Sequence, residues 1–199
     1  EIERVQTGVM PHGSRLLNNG LKHYSVAMMS GELFELDAIE MVITRKVKTS
    51  SMNKSHHSMM HHNHSEHIMD KSRPTWVYPS PDDKLLYVVN SGTNEVLEID
   101  IKSWSIKRKF STSIGPYNCE ISKDGKFLAV TYKPDGFTGI WDVKKGVELA
   151  KIKNSRKVSH GVVISPDSKF AFVTSEGIGG EPGSVDVIDL INKKLIDQV

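Results

Sequence analysis

Between Ser50 and Ser72 the chain reads SSMNKSHHSMMHHNHSEHIMDKS, a stretch holding six of its nine histidines and four of its eight methionines. Imidazole nitrogen binds copper, zinc and nickel, whereas thioether sulfur selects the soft cuprous ion. His56, His57, His61, His62, His64 and His67 supply the first kind of donor, and Met52, Met59, Met60 and Met69 the second. Glu66 and Asp70 add carboxylates. The spacing is irregular, so it preorganises no single geometry as a paired zinc motif does. These residues predict a loop that chelates several transition-metal ions, copper favoured over zinc by its sulfur content. Binding requires neutral imidazoles, hence a pH near or above about 6.5. The competing reading of the same composition is a solvated insertion that holds no metal.

Two further histidines stand in related phrases, Pro11-His12-Gly13 and Ser159-His160-Gly161. Both belong to a repeat. The segments PTWVYPSPDDKLLYVVN from Pro74, PYNCEISKDGKFLAVTY from Pro116 and SHGVVISPDSKFAFVTS from Ser159 start 42 and 43 residues apart. A fourth copy, PHGSRLLNNGLKHYSVA, begins at Pro11. Removing a His/Met insertion of roughly 22 residues restores its period. In each copy an alternating stretch meets a tight-turn pair: Asn19-Gly20, Asp82-Asp83, Asp124-Gly125 or Asp167-Ser168. Such residues tolerate positive φ or bond their own backbone. A β-rich strand follows, then a third strand ending in Asp37, Asp100, Asp142 or Asp189, then a fourth.

Four short antiparallel strands in about 40 residues are the pattern of a β-propeller blade. No apolar period of 3.6 residues is sustained, which argues against long helices. Blades are expected over residues 11–49, 74–115, 116–158 and 159–199, with 50–73 as the inserted loop. Residues 1–10 read as the outer strand of a preceding blade. Because KKLIDQV closes the last blade with its own outer strand, the chain reads as a fragment of a seven- or eight-bladed ring, the alternative being a small four-bladed ring with a frayed start.

Blade strands run outward from the central channel, so the inner strand begins on one face of the disc. The connection from second to third strand returns to that face, as does the crossing to the next blade. His12, Thr75, Tyr117 and His160, each next to a blade start, are therefore expected together at the channel mouth. The inserted loop, KPDGF (Lys133 to Phe137) and EGIGGEPG (Glu176 to Gly183) should share their face, with Glu181 free to meet a ligand. His12 and His160 are either rim ligands for the metal or histidines hydrogen-bonded to backbone.

The stretches YVVNSGTNEVLEID (Tyr87 to Asp100) and VTSEGIGGEPGSVDVID (Val173 to Asp189) resemble the YVTN family of β-propeller repeats, related to the YncE-like proteins. The resemblance covers Pro11 to Val199 apart from the insertion. It implies an all-β propeller in an exported protein, periplasmic or extracellular, of a bacterial envelope. With the His/Met run it points to a non-catalytic binding scaffold for a copper ion. Propellers host many activities, so two alternatives stand. One is a channel-mouth enzyme resembling copper or haem-d1 oxidoreductases or propeller lactonases. The other is an interaction module that docks another envelope protein.

Other features carry less chemistry. The net charge of +2 is small and scattered, so no nucleic-acid partner is expected. No apolar run approaches the roughly 20 residues of a membrane helix. The chain opens on Glu1 with no apolar signal segment, so any targeting sequence is expected to lie outside it or to have been removed. Cys119 is the only cysteine and reads as a buried small hydrophobe in an inner strand. GIGGEPG opens no helix and so is no phosphate cradle. Asp37, Asp100, Asp142 and Asp189 occur once per blade and are expected to cap turns. Ser159-His160 lacks a nucleophile elbow. Met28, Met29 and Met41 are assigned to strands and core packing, and His23 to a structural role.

Overall fold

A computed structural model describes residues 4–52 and 69–199. The first blade is β1 (Pro11–Leu16), β2 (Lys22–Ala27), β3 (Glu32–Asp37) and β4 (Val42–Lys48). The second is β5 (Pro74–Pro79), β6 (Leu85–Asn90), β7 (Glu95–Asp100) and β8 (Ser105–Ser111). The third is β9 (Pro116–Ile121), β10 (Phe127–Tyr132), β11 (Phe137–Asp142) and β12 (Val147–Lys153). The fourth is β13 (Val158–Ile164), β14 (Phe170–Glu176), β15 (Ser184–Asp189) and β16 (Lys194–Gln198). Each blade is one antiparallel sheet in sequence order. Among the described residues there is no helix, hence none long and apolar enough to cross a membrane.

Turn chemistry sets the register. The second residue of each expected pair takes positive φ: Gly20 at 76°, Asp83 at 57°, Gly125 at 71° and Ser168 at 61°. Ser80, Ser122 and Ser165 each donate from Oγ to the aspartate two residues on, at 2.6, 2.7 and 2.6 Å. The same hydroxyls accept the N–H of Leu85, Phe127 and Phe170. The four strand-end aspartates cap their turns as expected, accepting the N–H of Glu40, Ser103, Lys145 and Asn192. The Glu40 N–H, with Lys22 alongside, pulls the Asp37 carboxyl down to about 2.

The outer strands β4, β8 and β12 alternate in burial, whereas β2, β3, β6, β7, β10 and β11 are buried on both faces. Tyr24, Val26 and Leu33 pack with Val77, Leu86, Val88, Leu97 and Ile99 between the first two blades. Val89, Val96 and Phe110 meet Cys119, Leu128, Val130 and Trp141 between the second and third. Ile140 and Ile152 meet Val162, Ala171, Val173 and Ile188 between the third and fourth. Inner strands touch in series, β1 on β5, β5 on β9 and β9 on β13.

In each of the first three blades one cross-strand row faces the next blade. In the first it runs Arg15, Tyr24, Glu35, Arg45, and in the second Tyr78, Tyr87, Glu98, Arg108. Tyr24 donates to Glu35 Oε2 at 2.8 Å, and the Arg45 guanidinium pairs with the same carboxylate. Arg45 also lies 4.3 Å over the Trp104 ring and donates to the Ile101 carbonyl, both in the second blade. Arg108 repeats this, pairing with Glu98 at 2.6 Å and donating to the Val143 carbonyl of the third blade. The third blade replaces the row by Glu120, Ala129, Ile140, Ala150. Apolar contact with the fourth blade then takes over from ion pairing. The fourth blade's row, Val163, Phe172, Val187, Asp197, leaves Val163 52% and Phe172 36% exposed.

Two expectations are corrected. Residues 4–10 form no outer strand of a preceding blade. The Val9 and Met10 carbonyls instead accept the N–H groups of Met29 and Met28, and Val5 packs beside Ala27, Phe34 and Leu36. Met28, Met29 and Met41 lie outside the core and beyond the strands. The first two occupy the β2–β3 turn, while Met41 sits at φ 53° in the β3–β4 turn and is 42% exposed.

Candidate functional site

Every inner strand carries a bulge near its start. Pairing with the second strand slips between Pro11 and Ser14, between Pro74 and Trp76, and between Ser159 and Val162. In the third blade it slips where Thr131 pairs with Asn118 and Tyr132 with Pro116. The residues left out of the ladder include His12, Thr75, Tyr117 and His160. A bulge bends its strand and re-aims a side chain, here toward a common centre. The expected channel-mouth grouping is therefore formed, and the bulges build it.

Gly13 makes the bend at His12 possible. A Cβ there would stand 2.7 Å from both the Thr75 oxygen and the Trp76 Cα.

His12 is fixed by both ring nitrogens. Nδ1 lies 2.6 Å from the Thr75 carbonyl, which only accepts, so Nδ1 carries the proton. Nε2 then accepts from the Tyr117 hydroxyl at 2.9 Å. Thr75 Oγ1 in turn donates to the Tyr117 carbonyl at 2.7 Å. Tyr117 stands between the two histidines, its ring centroid 5.3 Å from that of His12 and 4.7 Å from that of His160.

His160 has two rival partners at one nitrogen. Nε2 lies 3.1 Å from Lys133 Nζ and 2.9 Å from Glu176 Oε1. Unprotonated, it accepts from the ammonium; protonated, it donates to the carboxylate. Burial and the Lys133 charge pull its pKa below the ordinary value, with Glu176 opposing and His12 adding to the fall. Lys133 Nζ also sits 4.3 Å over the Tyr117 ring. Lys133 follows β10 and Glu176 ends β14, so both second-to-third-strand connections reach the mouth as expected. In the second of them Glu176 meets the histidine, while Glu181 is exposed.

Beside this cluster opens a cleft of ≈ 510 Å³ lined by His12, Thr75, Tyr117, Lys133, Arg73 and Ser91, with Met10, Met28, Gly115, Pro134 and Val158 as further walls. Arg73 and Met10 escaped the sequence reading, although a signal existed. Met10, Arg73 and Gly115 each precede an inner strand, and each has positive φ, at 61°, 46° and 67°. The Gly115-Pro116 step marks that corner in the sequence.

The loop donors His56, His57, Met59, Met60, His61, His62, His64 and His67 lie outside the described residues. Their flanks are described. Ser50 Oγ donates to Asp70 Oδ2 at 2.9 Å, and Asp70 N–H donates to the Met29 carbonyl at 3.0 Å. Thr49 Oγ1 donates to Ser72 Oγ at 2.8 Å. Both flanks thus meet at the β2–β3 turn, on the face where β1 begins. Met69 is exposed there, and Met52 packs against the core between the first two blades. Among the described residues no three His, Cys, Asp or Glu side chains are grouped to hold a metal ion. Cys119 is buried, which pushes its thiol pKa up.

The fold and its mouth define a β-propeller of four-stranded blades. Among solved structures the chain is similar to hydrazine synthase of Kuenenia stuttgartiensis, with a TM-score of 0.79 and 20% identity. That likeness covers 98% of this chain and 51% of the other, so the chain spans about half the length of that neighbour. At this identity the match shows the fold alone. No family model matches the chain, and no curated protein matches it.

Proposed function

We propose that this chain is a non-catalytic propeller scaffold that captures a soft transition-metal ion, copper above zinc, on its His/Met-rich segment. The observation that supports this most directly is the anchoring of both flanks of that segment, through Asp70 and Thr49, on the face of His12 and His160. Imidazole and thioether donors exchange an ion rapidly, which suits capture and transfer. His12 has the arrangement common to metal-bound histidines, its Nδ1–H fixed on a carbonyl. Its Nε2 serves as a rim ligand once the Tyr117 hydroxyl turns aside, and His160 Nε2 once Lys133 does. An exported, periplasmic or extracellular setting with an envelope protein as recipient fits this role and the YVTN-type repeat.

The ring itself is proposed to contain seven or eight blades. The uncovered Val163–Phe172 row supports this, because in the other blades that row is covered by the next blade. A match to half of the neighbour's length supports it too.

Calorimetric titration with cuprous and cupric ions tests the capture role, comparing the full chain with one lacking residues 53–68. Affinity lost in the shortened chain is the expected result. Equal affinity in both chains would end the proposal.

A further inference from the structure

We propose that the cleft at the channel mouth is a second binding site, for a small organic anion that carries a carboxylate on an apolar body. Among the described residues its charged lining is Arg73 and Lys133, with no aspartate or glutamate. Neither cation is paired with a carboxylate among the described residues. Lys133 spends its charge on the Tyr117 ring at 4.3 Å and on His160 Nε2 at 3.1 Å, both weak substitutes for an anion. The remaining walls are largely apolar, with Met10, Met28, Pro134 and Val158 among them. A volume of ≈ 510 Å³ lies in the range of small-molecule sites, which join apolar walls to a few fixed polar groups.

Charge selects the class of ligand. Two positive groups on one cleft attract an anion, and an arginine fork matches a carboxylate in two-point geometry. Methionine walls adapt to the body of the ligand. The Tyr117 ring, already held edge-on between two imidazoles, offers a flat contact for that body. When the carboxylate takes Lys133, His160 Nε2 loses its ammonium partner and keeps only Glu176. Ligand entry therefore changes the surroundings of the His160 and Tyr117 rings, a change the cluster reports without any assay of activity. Four other groups face that ring: Lys133, Glu176, His12 and Tyr117.

The test uses the full chain with a chelator present, so that metal capture plays no part in its outcome. Benzoate, benzamide and acetate are titrated at about pH 7.5, where benzoate is fully ionised, while the His160 and Tyr117 ring signals are followed by NMR. The expected result is saturable, salt-weakened binding of benzoate, much weaker binding of acetate, and none of benzamide. Arg73→Met and Lys133→Met should each weaken benzoate by about tenfold or more, whereas the exposed Lys107→Met should leave it unchanged. Benzamide binding as well as benzoate would overturn the proposal, as would no saturable shift at all. The comparison of probes needs no variant, so a misfolded substitution cannot mask the answer.

Discussion

His12 and Tyr117 are locked together by a 2.9 Å hydrogen bond in which the phenol donates and the imidazole Nε2 accepts. The bond spans first and third blades, passing over the second. The proton on Nδ1, held by the Thr75 carbonyl, makes it possible. Nitrogen-15 NMR should therefore find His12 as the Nδ1–H tautomer, and Tyr117→Phe should preserve it, since Thr75 still accepts. Loss of the hydroxyl should cost about 1 kcal/mol of stability. An Nε2–H tautomer in the wild type would refute this assignment.

Gly13 and Gly161 occupy equivalent bulges, yet their surroundings differ. A Cβ at Gly13 meets backbone at 2.7 Å, whereas at Gly161 it meets only Thr174 Oγ1, at 3.2 Å. Gly13→Ala should destabilise by about 1–3 kcal/mol, the usual cost of overpacking, and should displace the His12 signals. Gly161→Ala should cost clearly less. Equal denaturation midpoints for the two variants would contradict the close approach of β1 and β5.

The Tyr24–Glu35–Arg45 row predicts a rescue. Arg45→Ala strands a carboxylate that is only 4% exposed as a residue, and should destabilise by about 2 kcal/mol, less than a fully buried pair because the arginine is partly solvated. Adding Tyr24→Phe and Glu35→Ile imitates the apolar answer of Ala129, Ile140 and Ala150. The triple variant should then be more stable than Arg45→Ala alone in urea denaturation. A further loss would show that the row is not self-contained.

Acid should loosen the fold through two histidines. Burial lowers the pKa of His23, and burial with Lys133 lowers that of His160. Below the ordinary histidine value near 6.5 the unfolded chain takes up protons that these two folded sites still refuse. Stability is thus complete above about 6.5 and falls as pH drops toward the folded values. Asp37, held at about 2, adds a separate loss from the ordinary carboxylate value near 3.8 downward. Urea midpoints measured from pH 8 to pH 5 should decline, and His23→Gln with His160→Gln should flatten the decline. An unchanged slope in the double variant would exclude these two histidines as its source.

The strand plan was legible because, with the insertion set aside, turn residues recur at one period: Asn19-Gly20, Asp82-Asp83, Asp124-Gly125 and Asp167-Ser168 mark the first hairpin of every blade with its need for positive φ. The channel-mouth set followed from that symmetry. What stayed hidden depends on how neighbouring sheets meet. Arg45 reaches a carbonyl 56 positions away, and nothing in its local pattern announces that reach. Arg73 and Met10 enter the cleft because their backbones turn at positive φ, an unusual choice for such side chains. Met28 and Met29 continue the alternation of β2 and so read as core, but the strand ends at Ala27.

The change from ion-paired rows to the Ala129–Ile140–Ala150 row gives the arc joints of unlike character. Salt can reach the first two, where the guanidinium side chains of Arg45 and Arg108 are 33% and 31% exposed. Chilling slackens the third, because contact between hydrocarbon surfaces weakens in the cold. Brine and frost would thus pry this molecule open at different places.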